Sequence, residues 1–456
     1  MIAPASFIAG QLADFIEGLS VDAVPPDVLE KARRCLLYGV GIGLCSFPTG
    51  FATVAAAAAV GIDGDIPDGA SIFRSGRRST VGAAALANAA LFHGRCQEDT
   101  CGTAHIGAIV IPLILGLIEA RRIGVDRLLP ALIAGYEVGG ALEALLAKRT
   151  MANGFRATPL YGVLAAAAAA SKLLDLSRPA IEAALAHAAS FAGGTLQSIV
   201  EGTDEWRYQA GVAAQLGLVA AELARANAQG ARAAFEGEQG FARVFAGETL
   251  GDEVRAHLGQ NWSLRRVTFK PYPVCAHNQS IVMAAIGLAP KLDASSVRKL
   301  EIHVNPYIVP GMDGKGPFTR VAETLMSSAF CAATGLLRGT LDIDHLAAFD
   351  DEAVAGLVGR AALVADPEVP FPACRLRATL ASGAVVTHEA RIRFEDFDFP
   401  RDDVIEQLRR IGRSTDVPAA LIEELAAFVD ELPTGDIDAV LDIFARLRRH
   451  QASRED

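Results

Sequence analysis

The chain has 456 residues, 51% hydrophobic and only 6% aromatic, with a formal net charge of −11. That length suits two or three domains, and the acidic balance excludes the broad basic surface that nucleic-acid binding needs. Alanine dominates the apolar fraction, which points to closely packed helices, because alanine has the best helix propensity and a minimal side chain.

The first residues carry no basic n-region, and Asp14 and Glu17 follow at once, so no signal peptide is expected. Helical spacing covers 5–19 and 26–46, the second opened by Val24-Pro25-Pro26-Asp27 with proline in its first turn. Gly50 closes that region. Residues 53–60 form a small-residue helix and 79–92 an alanine-rich one. A polar loop follows at 93–105. The next helix, 107–122, is nearly all apolar and is expected to be buried on all sides. Its apolar stretch, Ile106–Ile118, is about 13 residues long, short of the roughly 20 that cross a bilayer. A cytoplasmic protein with no membrane partner is therefore expected. Helices continue at 125–148, 158–173, 178–194 and 208–229, with no fixed repeat.

The pattern changes near 262. Ser296–Asn305 alternates apolar and polar residues as a strand does. Residues 374–395 read as a hairpin turned at Ser382-Gly383, with helices at 322–337 and 350–359 before it. The tail, 401–449, returns to helix with a break at Pro433 and Gly435. The expected fold is mainly α: an all-helical domain over 1–264, a smaller α+β domain over 265–397, and C-terminal helices over 398–456 that pack back on the first.

Four segments could carry chemistry. The loop His93-Gly-Arg-Cys-Gln-Glu-Asp-Thr-Cys-Gly-Thr-Ala-His105 is a dense polar run between two apolar helices. Polar groups there are paired or face a cavity. Asp99 suits orienting an imidazole or acting as a base, or Asp99 or Thr100 simply caps a helix. Lys270-Pro-Tyr-Pro-Val-Cys-Ala-His277 is stiffened by prolines where the two domains meet, a common place for a ligand; the alternative is a rigid linker. Gly202–Gly211 holds Trp206 beside Arg207, a pair that can bind a carboxylate or stack on a planar ligand, or merely start a helix. Arg156 in Asn153-Gly-Phe-Arg-Ala-Thr158 suits a carboxylate clamp.

Other chemistries find little support. Seven cysteines at 35, 45, 96, 101, 275, 331 and 374 form no CxxC pair, which reads as reduced thiols. The nine histidines show no HxxxH or HxH spacing for a metal. Neither a phosphate loop nor a GxSxG elbow is present. Acid–base chemistry by His, Asp and Lys remains, with Arg and Lys neutralising an anionic substrate.

Several segments, in order, resemble the MmgE/PrpD family: Ala85–His93, Glu98-Asp-Thr100 with His105, Ile109–Pro112, Ala134–Val138, Gly154–Thr158, Gly202-Thr203 with Ala210-Gly211, and Lys270–Pro273 with His277. The resemblance covers roughly 5–400. It implies a helical domain with an α+β lid, an active site in the cleft between them, a homodimer, and no metal or other cofactor. The family's reactions are dehydration of 2-methylcitrate, decarboxylation of cis-aconitate and epimerisation of iminodisuccinate, all on small polycarboxylates. By motif, Asp99, His105, Lys270 and His277 match catalytic positions and Thr100 a substrate-binding one. Other positions depart. Cys96 replaces an acidic residue, Arg156 a histidine, Trp206 (beside Arg207) a lysine, and Phe330 a tyrosine. The resemblance thus implies a lyase or isomerase for a small carboxylate, with a reshaped pocket. The alternatives are a relative that binds without turnover, or a biosynthetic specialist on a non-carboxylate.

Overall fold

The computed structural model describes residues 7–455; the first two positions of the expected 5–19 helix lie outside them. The body begins with α1 (Ile8–Gly18), α2 (Pro26–Cys45) and α3 (Phe51–Asp63), then a small ribbon of β1 (Ala70–Ser71) and β2 (Arg78–Ser79). It continues with α4 (Val81–Phe92), β3 (Thr100–Cys101), α5 (Gly107–Arg121), α6 (Leu128–Ala152), α7 (Ala157–Leu173), α8 (Arg178–Phe191), α9 (Gln197–Glu201), α10 (Glu205–Arg225), α11 (Glu253–His257) and β4 (Val267–Thr268). Local chemistry sets several of these starts. Pro26 occupies the first turn of α2, where its missing N–H costs nothing. Thr80 caps α4 by accepting from Ala83 N.

Small residues let the helices approach. A Cβ on Gly211 of α10 would stand 2.5 Å from the Leu86 carbonyl oxygen of α4, and one on Gly217 would stand 2.8 Å from that of Val163 in α7. Helix α5 is buried from Gly107 through Glu119. One helix, Val125–Ala152, is long and apolar enough to cross a membrane, but 83% of its most apolar window is buried inside the fold. It is a longer apolar element than the 107–122 stretch singled out in the sequence.

The second region holds α12 (Gln279–Leu288), β5 (Val297–Val304), α13 (Val321–Met326), α14 (Ser328–Arg338), α15 (Ile343–Ala347), α16 (Glu352–Arg360), β6 (Ala361–Ala365), β7 (Cys374–Leu380) and β8 (Val385–Ala390). Its sheet runs β6-β5-β7-β8; β6 is parallel to β5, and the other pairs are antiparallel. Helices α12 and α14 pack against it. The β7–β8 hairpin turns at Ser382-Gly383 as expected, with Gly383 at φ 84°. Strand β6 was not expected; its five residues follow α16 without a turn signal. The expected 322–337 helix breaks at Ser327, whose hydroxyl caps α14 through Phe330 N.

The chain ends in α17 (Arg401–Thr415), α18 (Ala419–Glu431) and α19 (Ile437–Glu455). Besides the break near Pro433, the tail turns at Asp416, whose φ is 55°, ahead of Pro418. Both α17 and α18 pack on α2. One core accordingly draws on Ile8–Phe269 and again on Val404–Leu447. A second spans Val274–Ala390 and is joined by Cys96 and Trp206 from the body, and a small third one lies within Ala55–Ala90.

Candidate active site

The 93–105 loop leaves α4 and is fixed at several points. Strand β3 pairs with β4, setting Thr100 opposite Thr268, and their hydroxyls are 2.7 Å apart. Glu143 of α6 accepts from both the amide and the hydroxyl of Thr103, each at 2.8 Å. Gln97 donates to the Pro271 carbonyl at 2.8 Å. The Tyr38 hydroxyl of α2 donates to the Lys270 carbonyl at 2.6 Å. Pairing of β3 with β4 thus brings Lys270 beside the loop, although the two lie far apart in sequence.

The centre of the resulting cluster is Glu98, only 1% exposed. Its Oε1 accepts from Lys270 Nζ at 3.2 Å and lies 2.9 Å from His105 Nδ1. His93 Nδ1 is 3.0 Å away, though out of hydrogen-bond alignment. Burial pushes the Glu98 carboxyl up, but Lys270, His93 and His105 outweigh it and hold the group well below the usual carboxylate range. Burial also works against the Lys270 ammonium, and Cys96 and Glu98 outweigh it, so Lys270 stays charged. Lys270 donates as well to the Cys96 carbonyl and lies 3.6 Å from Cys96 Sγ.

The imidazoles have defined roles. Both neighbours of His105 Nδ1, Glu98 Oε1 and the Asp99 carbonyl at 3.2 Å, are acceptors. Nδ1 therefore carries the proton and Nε2 the lone pair. Burial, with Lys270, lowers the His105 pKa, so this nitrogen is free at neutral pH. Its side chain is 15% exposed, against 0–3% for His93, Glu98 and Lys270, which makes His105 the accessible member. Arg156 faces His93 Nε2 at 2.8 Å. Burial, aided by Arg156 and opposed by Glu98, pulls the His93 pKa down to about 3.

Arg156 also donates to the Trp206 carbonyl and to Gln209 Oε1. All three partners are neutral, and burial lowers its pKa to about 10. Trp206 meets the His93 ring edge-on at 4.7 Å and stacks under the Arg207 guanidinium at 3.9 Å. Arg207 pairs with Asp204 at 3.3 Å. Two buried cations thus flank the cluster, and one of them has no carboxylate partner.

Among the described residues, the side chains of the other positions singled out in the sequence make no hydrogen bond or ion pair with Glu98, Lys270 or the His105 ring. Asp99 turns its carboxyl into the body, where Tyr136 donates to Oδ2 at 2.5 Å; burial raises its pKa to about 7. It touches His105 only through its backbone carbonyl. Thr100 serves the β3–β4 clamp. His277 packs edge-on against Tyr307 and Phe371, at 5.5 and 6.0 Å between ring centroids. Among the described residues its ring has no hydrogen bond, and burial alone lowers its pKa. Phe330 lies in the second core against Phe318. The structure therefore joins Cys96, His105, Arg156, Trp206 and Lys270 through Glu98 and His93, which the sequence reading had not singled out as site residues. Among the described residues, no group of three His, Cys, Asp or Glu is arranged to hold a metal.

A body of helices with two short two-stranded ribbons, rather than the all-helical domain expected, a mixed-sheet second region and a charged cluster where they meet define a two-domain architecture that known proteins share. Residues 10–252 match the MmgE/PrpD N-terminal domain and residues 272–407 the MmgE/PrpD C-terminal domain. The chain belongs to the MmgE/PrpD family. It is 26% identical over 446 residues to the cis-aconitate decarboxylase-like protein oryM of Aspergillus oryzae, covering 90% of this chain and 92% of that protein. It is 27% identical over 290 residues to cis-aconitate decarboxylase of Aspergillus terreus, covering 59% and 58%. With cis-aconitate decarboxylase of Homo sapiens it shares 28% over 307 residues, covering 63% and 60%. The chain thus spans less than two thirds of the last two relatives.

Proposed function

We propose that the protein is a lyase or isomerase that moves a proton, or releases carbon dioxide, next to a carboxylate of a small di- or tricarboxylic acid. One observation carries this reading: His105 holds a free Nε2, oriented by Glu98, at the accessible side of a cluster containing Lys270 and the carboxylate-free Arg156. A base set beside fixed cations is what formation of a carbanion next to a carboxylate requires. The cis-aconitate decarboxylases among its relatives support a carboxylate substrate.

In this mechanism Lys270 and Arg156 hold the substrate carboxylates, and Arg207 adds positive potential through Trp206. His105 Nε2 accepts the proton, and the resulting imidazolium is stabilised by Glu98 at 2.9 Å. The test is deuterium exchange followed by NMR in D2O with a panel of di- and tricarboxylates that includes cis-aconitate. Exchange or turnover by the native protein, abolished in His105→Ala, is expected. Exchange that persists in His105→Ala would remove the assignment. A second reading, binding without turnover, is favoured by the bond between Arg156 and His93. Thermal stabilisation by carboxylates with neither exchange nor turnover would select it.

A further inference from the structure

Cys96 is held in an unusual place. Its φ is 55°, in the left-handed region that side-chain-bearing residues seldom adopt. Strain of this kind persists where the surroundings over-determine it, and it gathers at functional sites. The Cys96 N–H donates to the His93 carbonyl at 3.2 Å, and Lys270 binds its carbonyl and lies 3.6 Å from its sulfur. The thiol is 7% exposed and shares the second core with Trp206, Leu325 and Phe330. It thus stands at the seam between body and lid.

The electrostatics around the sulfur have two sides. Burial, with the Glu98 carboxylate beside it, raises the thiol pKa, so the resting group keeps its proton; Lys270, Arg207 and Arg156 pull the other way without overcoming it. Those three cations would stabilise a thiolate once it formed. A general acid must be protonated at rest, and nearby cations lower the cost of the thiolate that burial imposes. Two nearby side chains also carry polar atoms without partners. Glu98 Oε2 and Trp206 Nε1 belong to side chains 1% and 2% exposed, and neither has a hydrogen-bond partner. Buried polar atoms are normally satisfied, so the Trp206 N–H is an unused donor suited to an anionic group.

We propose that Cys96 is a catalytic proton donor that delivers its thiol hydrogen to the carbanionic carbon of the bound carboxylate, working across the Glu98–Lys270 pair from His105. The proposal rests on the reading of His105 as base and of a carboxylate as substrate. If His105 removes a proton, the C–H electron pair moves into the neighbouring carboxylate. If carbon dioxide leaves, the C–C pair stays on carbon. In either case that pair forms a new C–H bond with the Cys96 hydrogen, the S–H bond breaks, and a thiolate remains. The thiolate regains a proton from the His105 imidazolium in the first case and from water in the second. No electrons enter or leave.

The experiment compares Cys96→Ser, Cys96→Ala and Cys96→Asp with the native protein on the same carboxylate panel, with the fold of each checked by circular dichroism. The expected result is a fall in kcat of about 100-fold for Ala and Ser, with a smaller change in KM. Cys96→Asp recovers about 10-fold of that loss, because it restores an acid, and its pH profile turns over at lower pH because a carboxyl titrates below a thiol. A purely structural cysteine would be best replaced by Ser and would leave the pH profile unmoved. An active native protein whose Cys96→Ala variant stays within about twofold in kcat overturns the proton-donor role alone. A native protein inactive on the whole panel overturns that role together with the functional reading.

Discussion

His105 and His277 are both followed closely by a helix, and both imidazoles are largely buried, but they sit in opposite company. Around His105 stand Glu98, His93 and Lys270 within a few ångströms. Around His277 stand Tyr307 and Phe371. Burial lowers both pKa values, but only at His105 do charged groups act as well. The lesson is that a buried imidazole becomes a base through the acceptor that fixes its tautomer. Without such a partner it is a planar apolar ring lining a wall.

The sharpest way to break this contrast is substitution of each ring. His105→Ala should cost about 10²–10⁴-fold in kcat, whereas His277→Ala should cost less than about 10-fold and act mainly on KM. Equal losses in steady-state kinetics would mean that the aromatic group reaches the reacting atoms. Next comes the cluster's own stability. Lys270→Met leaves the Glu98 carboxylate buried without its ammonium, and chemical denaturation should register a loss of about 3–5 kcal/mol.

A smaller effect sharpens the account of tautomer control. Glu98 raises the His105 pKa and Lys270 lowers it. Glu98→Gln should therefore move the acid limb of the pH–rate profile to lower pH, with a fall in kcat of about 10–100-fold from the loosened ring. A limb that stays in place would detach the carboxylate from the base.

The smallest effect concerns Asp99, the carboxyl that faces away. Its folded pKa, about 7, lies above the usual 3.8. Between those values the folded form holds a proton that the unfolded form has released, so this group makes stability fall as pH rises. Asp99→Asn should remove that slope and stabilise the fold at pH 8 by roughly 1–2 kcal/mol, read from denaturation curves at several pH values. A slope unchanged by the substitution would refute the assignment.

Much of this was legible in the sequence, for identifiable reasons. Alanine-rich periodicity marked α4, α7 and α10, and alternation marked β5 and the β7–β8 hairpin. Strand β6 was not, because Ala361–Ala365 follows α16 directly and its pattern is short. The loop was found as a polar run in apolar surroundings, and Lys270 in a proline-stiffened segment where the two domains meet. The choice of carboxylate was missed: Asp99 was favoured, and Glu98 holds the centre. Neighbouring residues of an extended segment point in opposite directions, and composition does not say which one faces the cluster. His93 lay in plain view at the end of α4. Its part depends on Arg156, which is 63 residues away.

The two larger hydrophobic cores also impose an order on synthesis. The helical body takes its interior from both the beginning of the chain and residues 404–447, whereas the second region draws almost wholly on 274–390. As the polypeptide emerges from the ribosome, α2 waits with an open flank until α17 and α18 arrive to cover it. The intervening sheet can close earlier. Truncating the final helices would therefore harm the part of the molecule made first, exposing the face of α2 that should be sealed last.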